Sequence, residues 1–226
     1  IVNVGSTLKT SEESLQLAHE YDSVYAAVGI HPSEVSDHEM QDTLLRIEEL
    51  AGDKKTVAIG EIGLDYYWDK EEEIHLLQKE WFAKQLDLAQ KLNLPIIIHS
   101  RDASQDTFDM LMKKRPSSAV IHCYSSSPQM AKDYVRAGYF IGVGGVVTFK
   151  NGRRLKETVA SVDIEHILLE TDAPYMAPEP FRGKRNESAY ISHIAGVVAG
   201  IKGMSPKEVI DITAQNAYRF YHIQRR

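Results

Sequence analysis

The chain has 226 residues, 43% of them hydrophobic, and a net charge of −6; it can bury one large core, but it lacks the basic balance of a protein that grips nucleic acid along its length. Its one cysteine, Cys123, allows no internal disulfide and suits a reducing compartment, so the expected location is cytoplasmic. No apolar run approaches the roughly 20 residues that a membrane-spanning helix needs.

IVNVGST (1–7) reads as a strand, followed over 10–21 by a helix that opens on Thr10, Ser11 and Glu12 and carries Leu15, Leu17 and Ala18. VYAAVGIHP (24–32) is the next strand, broken by Pro32 and Ser33 before a helix over 37–50. TVAIGEIGLD (56–65) is the third strand. A long helix over 71–92 lines up Leu77, Trp81, Leu88 and Leu92, with Phe82, Leu86 and Ala89 beside them, as ordinary core packing. The alternation continues with strand 95–100 and helix 104–114, strand 119–124 and helix 128–137, then strand 139–147 and helix 152–161. Strand 167–172, a polar loop, and helices over 188–202 and 205–221 complete the chain, the last helix opening on Ser205-Pro206. Nothing interrupts this pattern, so it predicts a single domain over 1–226.

The strands are short, rich in Val and Ile, and separated by amphipathic helices, the signature of parallel strands buried on both faces. A TIM (β/α)8 barrel has eight such strands and about 250 residues. The seven counted here predict that barrel with its first βα unit lying upstream of Ile1.

Four of the apolar runs end in groups able to bind a metal: Glu61 in VAIGEIG, His99 in LPIIIHSRD, His122 in SAVIHCYS and Asp172 in HILLETDAP. In barrels and open α/β sheets, ligands collect where strands end at their carboxyl side. Imidazole paired with carboxylate suits Zn²⁺ or another divalent ion. For Glu61 and Asp172 the competing expectation is an ion pair with Arg101 or Lys150. His31, in GIHP, also ends a strand and is expected to act as a ligand, as a donor behind the ligands or as a substrate contact. Arg101 and Asp102 follow His99 and are placed to orient it. His19, His38, His75, His166, His193 and His222 fall in helical or connecting segments and are assigned no site role. FRGKRNES (181–188) sets Arg182, Lys184 and Arg185 in the loop after the last strand, where barrels often bind phosphate. The Gly pair in IGVGGVV is read as close packing or a bulge. Strand alternation would turn Cys123 away from His122, which predicts a buried, inert thiol.

GIHP, GEIGLDY, LPIIIHSRD, the His122 segment, VVTFKN, LLETDAPY and RGKRNE, in that order, resemble the TatD family of metal-dependent deoxyribonucleases over nearly the whole chain. The resemblance implies a barrel holding two divalent ions (Mg, Mn or Zn), with Glu61 bridging them and His99, His122 and Asp172 completing the shell. It implies hydrolysis of phosphodiester bonds in DNA from a strand end, with Arg182, Lys184 and Asn186 in the substrate-side loop; Asp172, at the metal and near the water, is the candidate general base. The scarcity of basic residues predicts short contacts at that end and no long groove. Two features depart from the family pattern. No His-x-His motif occurs on the first strand, so two metal-binding histidines are expected in the missing unit, and Ser188 stands where the RGKRNE segment usually runs into Pro. Two other readings remain open: a metal-dependent hydrolase of small amides, lactones or phosphoesters, and a non-catalytic barrel serving as a scaffold or binding protein.

Overall fold

The computed structural model describes residues 1–224. They form two compact units, residues 1–119 and residues 120 onward, each made of alternating strands and helices.

The first unit runs β1 (Val2–Val4), α1 (Leu8–Glu20), β2 (Tyr25–Val28), α2 (Met40–Ala51), β3 (Thr56–Asp65), α3 (Glu72–Leu92), β4 (Ile96–Arg101) and α4 (Ser104–Lys114). Strands β1 to β4 pair in sequence order, all parallel. Strand β3 is buried at every position except Glu61, which is half-buried. Such a continuous apolar run belongs to a strand covered on both faces, and the one carboxylate left in its middle stands out against it.

Helix α1 begins at Leu8, two residues earlier than the sequence suggests. Thr7 is its cap and exchanges hydrogen bonds with Thr10 in a capping box, so Thr10 lies inside the first turn. On α3 the buried face carries two polar side chains, Gln78 and Gln85, among Trp81, Phe82, Leu86, Leu88 and Ala89. Gln78 Oε1 accepts from the Asp65 backbone N–H at 3.0 Å while its Nε2 donates to the Asp65 carbonyl at 3.0 Å. Gln85 treats Ile30 the same way, at 2.8 and 3.0 Å. Each amide thus behaves as a short piece of added backbone, satisfying the last residue of β3 and the residue two beyond β2.

The second unit starts at the second residue of β5 (Ala119–Ile121) and continues through α5 (Pro128–Arg136), β6 (Phe140–Val143), α6 (Arg153–Ser161), β7 (Ile167–Leu169), α7 (Ile191–Lys202) and α8 (Pro206–Phe220). Strands β5 to β7 are again parallel and in order. Ser205 caps α8, with Pro206 in the first turn and Glu208 returning the capping bond. All three strands of this unit are shorter than the sequence predicts. Strand β5 stops at Ile121, so His122 and Cys123 lie in the turn beyond it; β6 gives way to a 3-10 turn over Gly145–Thr148; β7 stops at Leu169, leaving Asp172 in the loop. No helix among the described residues is long and apolar enough to cross a membrane.

Candidate metal centres

In the first unit the structure brings His31, Glu61 and His99 together, with one ligand atom from each within 4.8 Å of the others. His99 Nδ1 lies 2.8 Å from Glu61 Oε1 and His31 Nε2 lies 3.8 Å from the same oxygen. The two imidazole rings meet edge-on, 4.2 Å between centroids. His31 turns its other nitrogen to Ser33 Oγ at 2.8 Å. Behind His99, its Nε2 lies 3.0 Å from Oδ2 of Asp65, a residue only 2% exposed. This is how a metal-binding histidine is normally held: one nitrogen is turned to the site and the other is fixed by a carboxylate.

Backbone geometry leaves room for this arrangement at Gly63, which pairs with His99 across β3 and β4. A Cβ at Gly63 would fall 2.0 Å from the His99 carbonyl oxygen, and its φ of +147° is one that side chains resist.

Burial works against charge on His99, but the carboxylates of Asp65 and Glu61 outweigh it and raise its pKa. Burial likewise pushes the Asp65 carboxyl up, yet hydrogen bonds from His99 and the Tyr67 N–H prevail and hold it below the ordinary carboxylate value. Carboxylates thus face both nitrogens of the His99 ring, Glu61 at Nδ1 and Asp65 at Nε2.

In the second unit His122, Cys123 and Asp172 form a second triad within the same 4.8 Å limit. His122 Nδ1 lies 2.9 Å from Glu170 Oε2, and its Nε2 lies 3.7 Å from Asp172 Oδ1. The Cys123 backbone N–H donates to the other Glu170 oxygen at 2.6 Å. Glu170 thus does for His122 what Asp65 does for His99. Gly142 makes space for it, because a Cβ there would sit 2.6 Å from Glu170 Oε2.

The expected burial of Cys123 is corrected here. Its side chain is half-buried beside His122 and Asp172, because β5 has already ended and Cys123 takes a positive φ of 43°, so strand alternation no longer applies. Asp172 also has a positive φ, 57°, which turns its carboxylate back toward His122.

Sequence reasoning missed Asp65 and Glu170. Both stand in segments already marked, GEIGLDY and LLETDAPY, within four residues of a proposed ligand. Their signal was a second carboxylate in each segment.

The remaining residues divide by exposure. Arg101, at the end of β4, is exposed and lies over the Tyr67 ring at 3.8 Å. Arg182 is exposed and lies over Phe149 at 4.4 Å, and Lys184 and Arg185 are exposed in the same loop. Asn186 is 2% exposed, and both its amide hydrogens are engaged, by the Thr171 and Tyr175 carbonyls at 2.6 Å each, so it fastens the loop that carries Asp172. Asp102 and Lys150 are exposed.

Residues 1–222 match the profile of a family described as TatD related DNase. The chain is 41% identical to the uncharacterized metal-dependent hydrolase YabD of Bacillus subtilis over 225 residues, 99% of this chain and 87% of that one. It is 36% identical to the uncharacterized metal-dependent hydrolase TatD of Mycobacterium tuberculosis, across 98% of this chain and 85% of the other. Among solved structures, YJJV, a TatD homolog from Escherichia coli, superposes with a TM-score of 0.92 at 29% identity, covering 99% of this chain and 86% of its own. With that likeness, the parallel βα repeats of both units place the fold in the TIM-barrel class of the metal-dependent hydrolases.

Proposed function

The chain belongs to the TatD related DNase family of metal-dependent hydrolases, and from that premise we propose that it hydrolyses phosphodiester bonds of DNA, working from a strand end. The observation that carries this reading is the pair of triads, each with a histidine backed by a carboxylate, in a chain of that family. We assign one divalent ion to His31, Glu61 and His99 and another to His122 and Asp172, with Cys123 within reach. The donor set fits such ions: nitrogen and carboxylate oxygen converge, and the carboxylates supply negative charge. Imidazole ligands suit Zn²⁺ better than Mg²⁺, which prefers oxygen. When bound, a divalent ion supplies a Lewis acid for the phosphoryl oxygens and a route to an activated water.

The chain's own residues do the rest. Asp65 and Glu170 hold the two imidazoles in one tautomer and orientation, Glu61 offers its carboxylate between His31 and His99, and Asp172 takes the proton of the attacking water on a carboxylate oxygen. Arg182 and Lys184 contact backbone phosphates, which positions a strand without reading its sequence. Asn186 keeps their loop in place. End-labelled single- and double-stranded DNA incubated with Mg²⁺, Mn²⁺ or Zn²⁺ tests the proposal. A ladder shortening from one end is expected. Intact DNA under all three metals, with small phosphoesters hydrolysed, would replace DNA by a small substrate.

A further inference from the structure

The turn after β3 displays more aromatic surface than a loop needs for folding. Trp68 is 67% exposed and Tyr67 43% exposed, and their rings meet edge-on with centroids 4.7 Å apart. The Arg101 guanidinium lies 3.8 Å from the Tyr67 ring centre and 5.3 Å from that of Trp68. Lys70 adds a second cation 5.6 Å from the Tyr67 ring. A lone exposed aromatic residue is common, but two adjacent rings bracketed by two cations are a surface with its own chemistry.

This surface is held firmly. The Tyr66 N–H donates to the Arg101 carbonyl at 2.9 Å, and the Tyr66 ring stacks on His75 at 3.8 Å with its hydroxyl on Asp106. The Tyr67 N–H donates to Asp65 Oδ1 at 2.8 Å, while Asp65 Oδ2 faces His99. One carboxylate therefore fixes both the aromatic turn and a histidine of the first triad, so the two share a strand exit and a common anchor.

We propose that Tyr67, Trp68 and Arg101 form a stacking site for an unpaired nucleobase at the end of a DNA strand. The proposal rests on the nuclease reading and adds to it the part of the substrate that is held. Every base offers a π face, so aromatic stacking binds single strands with little regard to sequence. A guanidinium lying over the same rings stacks on the base and attracts the adjoining phosphate. In a chain of net charge −6, whose overall field repels DNA, such a local site is where binding free energy must come from. Bases inside a duplex are already stacked on each other, which directs the site to frayed or single-stranded ends.

The chain contains two tryptophans, and Trp81 is only 1% exposed, so a ligand-dependent change in indole emission reports on Trp68. The test titrates the metal-loaded full chain with a phosphorothioate-linked single-stranded oligonucleotide and with its abasic counterpart. It also compares KM for cleavable forms of both. Saturable quenching by the base-bearing strand alone is expected, with a lower KM for that strand. In Trp68→Ala the preference over the abasic strand should shrink by roughly tenfold; Trp68→Phe should restore most of it. If DNA is degraded but the two strands quench alike and Trp68→Ala keeps the preference, the stacking site is refuted and the nuclease reading stands. If no strand is cut under any metal while base-dependent quenching persists, the site holds and the nuclease reading falls.

Discussion

Asp65 gives its two carboxylate oxygens to two different duties: Oδ2 lies 3.0 Å from His99 Nε2, and Oδ1 accepts the Tyr67 N–H at 2.8 Å. Neutralising it in Asp65→Asn keeps the shape but removes the charge that fixes the His99 tautomer. Metal affinity of the first triad should fall by about 10- to 100-fold, measured by competition with a chelator. An unchanged affinity would separate Asp65 from the metal site.

Glu61 is the one residue of β3 that is not buried, and it lies between His31 and His99. Glu61→Gln conserves volume and deletes the charge. Activity should drop by more than the roughly 10- to 100-fold expected for an outer carboxylate, with the unfolding midpoint close to that of the parent. Turnover near the parent's would sink its role as a ligand.

Gln78 and Gln85 each satisfy one backbone donor and one acceptor at a buried position. Gln78→Leu fills the same space and leaves the Asp65 N–H and carbonyl without that partner. At about 1–3 kcal/mol for each unsatisfied buried group, the variant should lose about 2–6 kcal/mol in urea unfolding, with Gln85→Leu similar. A loss under about 0.5 kcal/mol, the range of an ordinary surface substitution, would mean that water replaces the amide.

Arg182 and Lys184 are exposed in the loop after β7, and Arg182 lies over the Phe149 ring. Replacing both by Ala should raise KM for DNA and reduce the salt slope of binding by about 1–2 charges, leaving metal content unchanged. Identical salt dependence in parent and variant would assign the loop to solvent.

Asp106 accepts from Lys79 Nζ at 2.7 Å and from the Tyr66 hydroxyl at 2.8 Å. Lys79 first, then Tyr66, holds its carboxyl below the ordinary value of 3.8. A depressed folded pKa stabilises the fold above that ordinary value and loses the effect as pH falls through the depressed one. Asp106→Asn should therefore lower Tm near neutrality, and the gap should close in acid. A gap constant across that range would point to packing and not to charge.

The order of strands and helices was legible in the sequence because each buried run is a short Val/Ile block bounded by polar helices. Boundaries were legible where a cap marks them, as at Ser205-Pro206, and missed where two threonines competed, as at Thr7 and Thr10. His99 and Glu61 could be found as polar residues within or ending apolar runs. Cys123 was misread because the period-two rule was carried one residue past a strand that had ended at Ile121. Asp65 and Glu170 were passed over because a carboxylate hydrogen-bonded to a histidine looks, in one dimension, like any other acidic loop residue. Nothing along the chain links Gln78 to Asp65, since that pairing exists only once α3 has docked.

The two glutamines of α3 stand seven residues apart, two helical turns, and each fits a backbone site that accepts nothing apolar. Sliding the helix by one turn, about 5.4 Å, would bring Ile74 or Phe82 to the place of Gln78, and Trp81 or Ala89 to the place of Gln85. None of these can answer an N–H and a carbonyl. The apolar stripe of α3 would tolerate several alignments as a greasy surface, but the pair of amides works as a key with two teeth and admits one. A variant that made this helix more hydrophobic would then bind its sheet in more ways and hold its histidines in fewer of the right places.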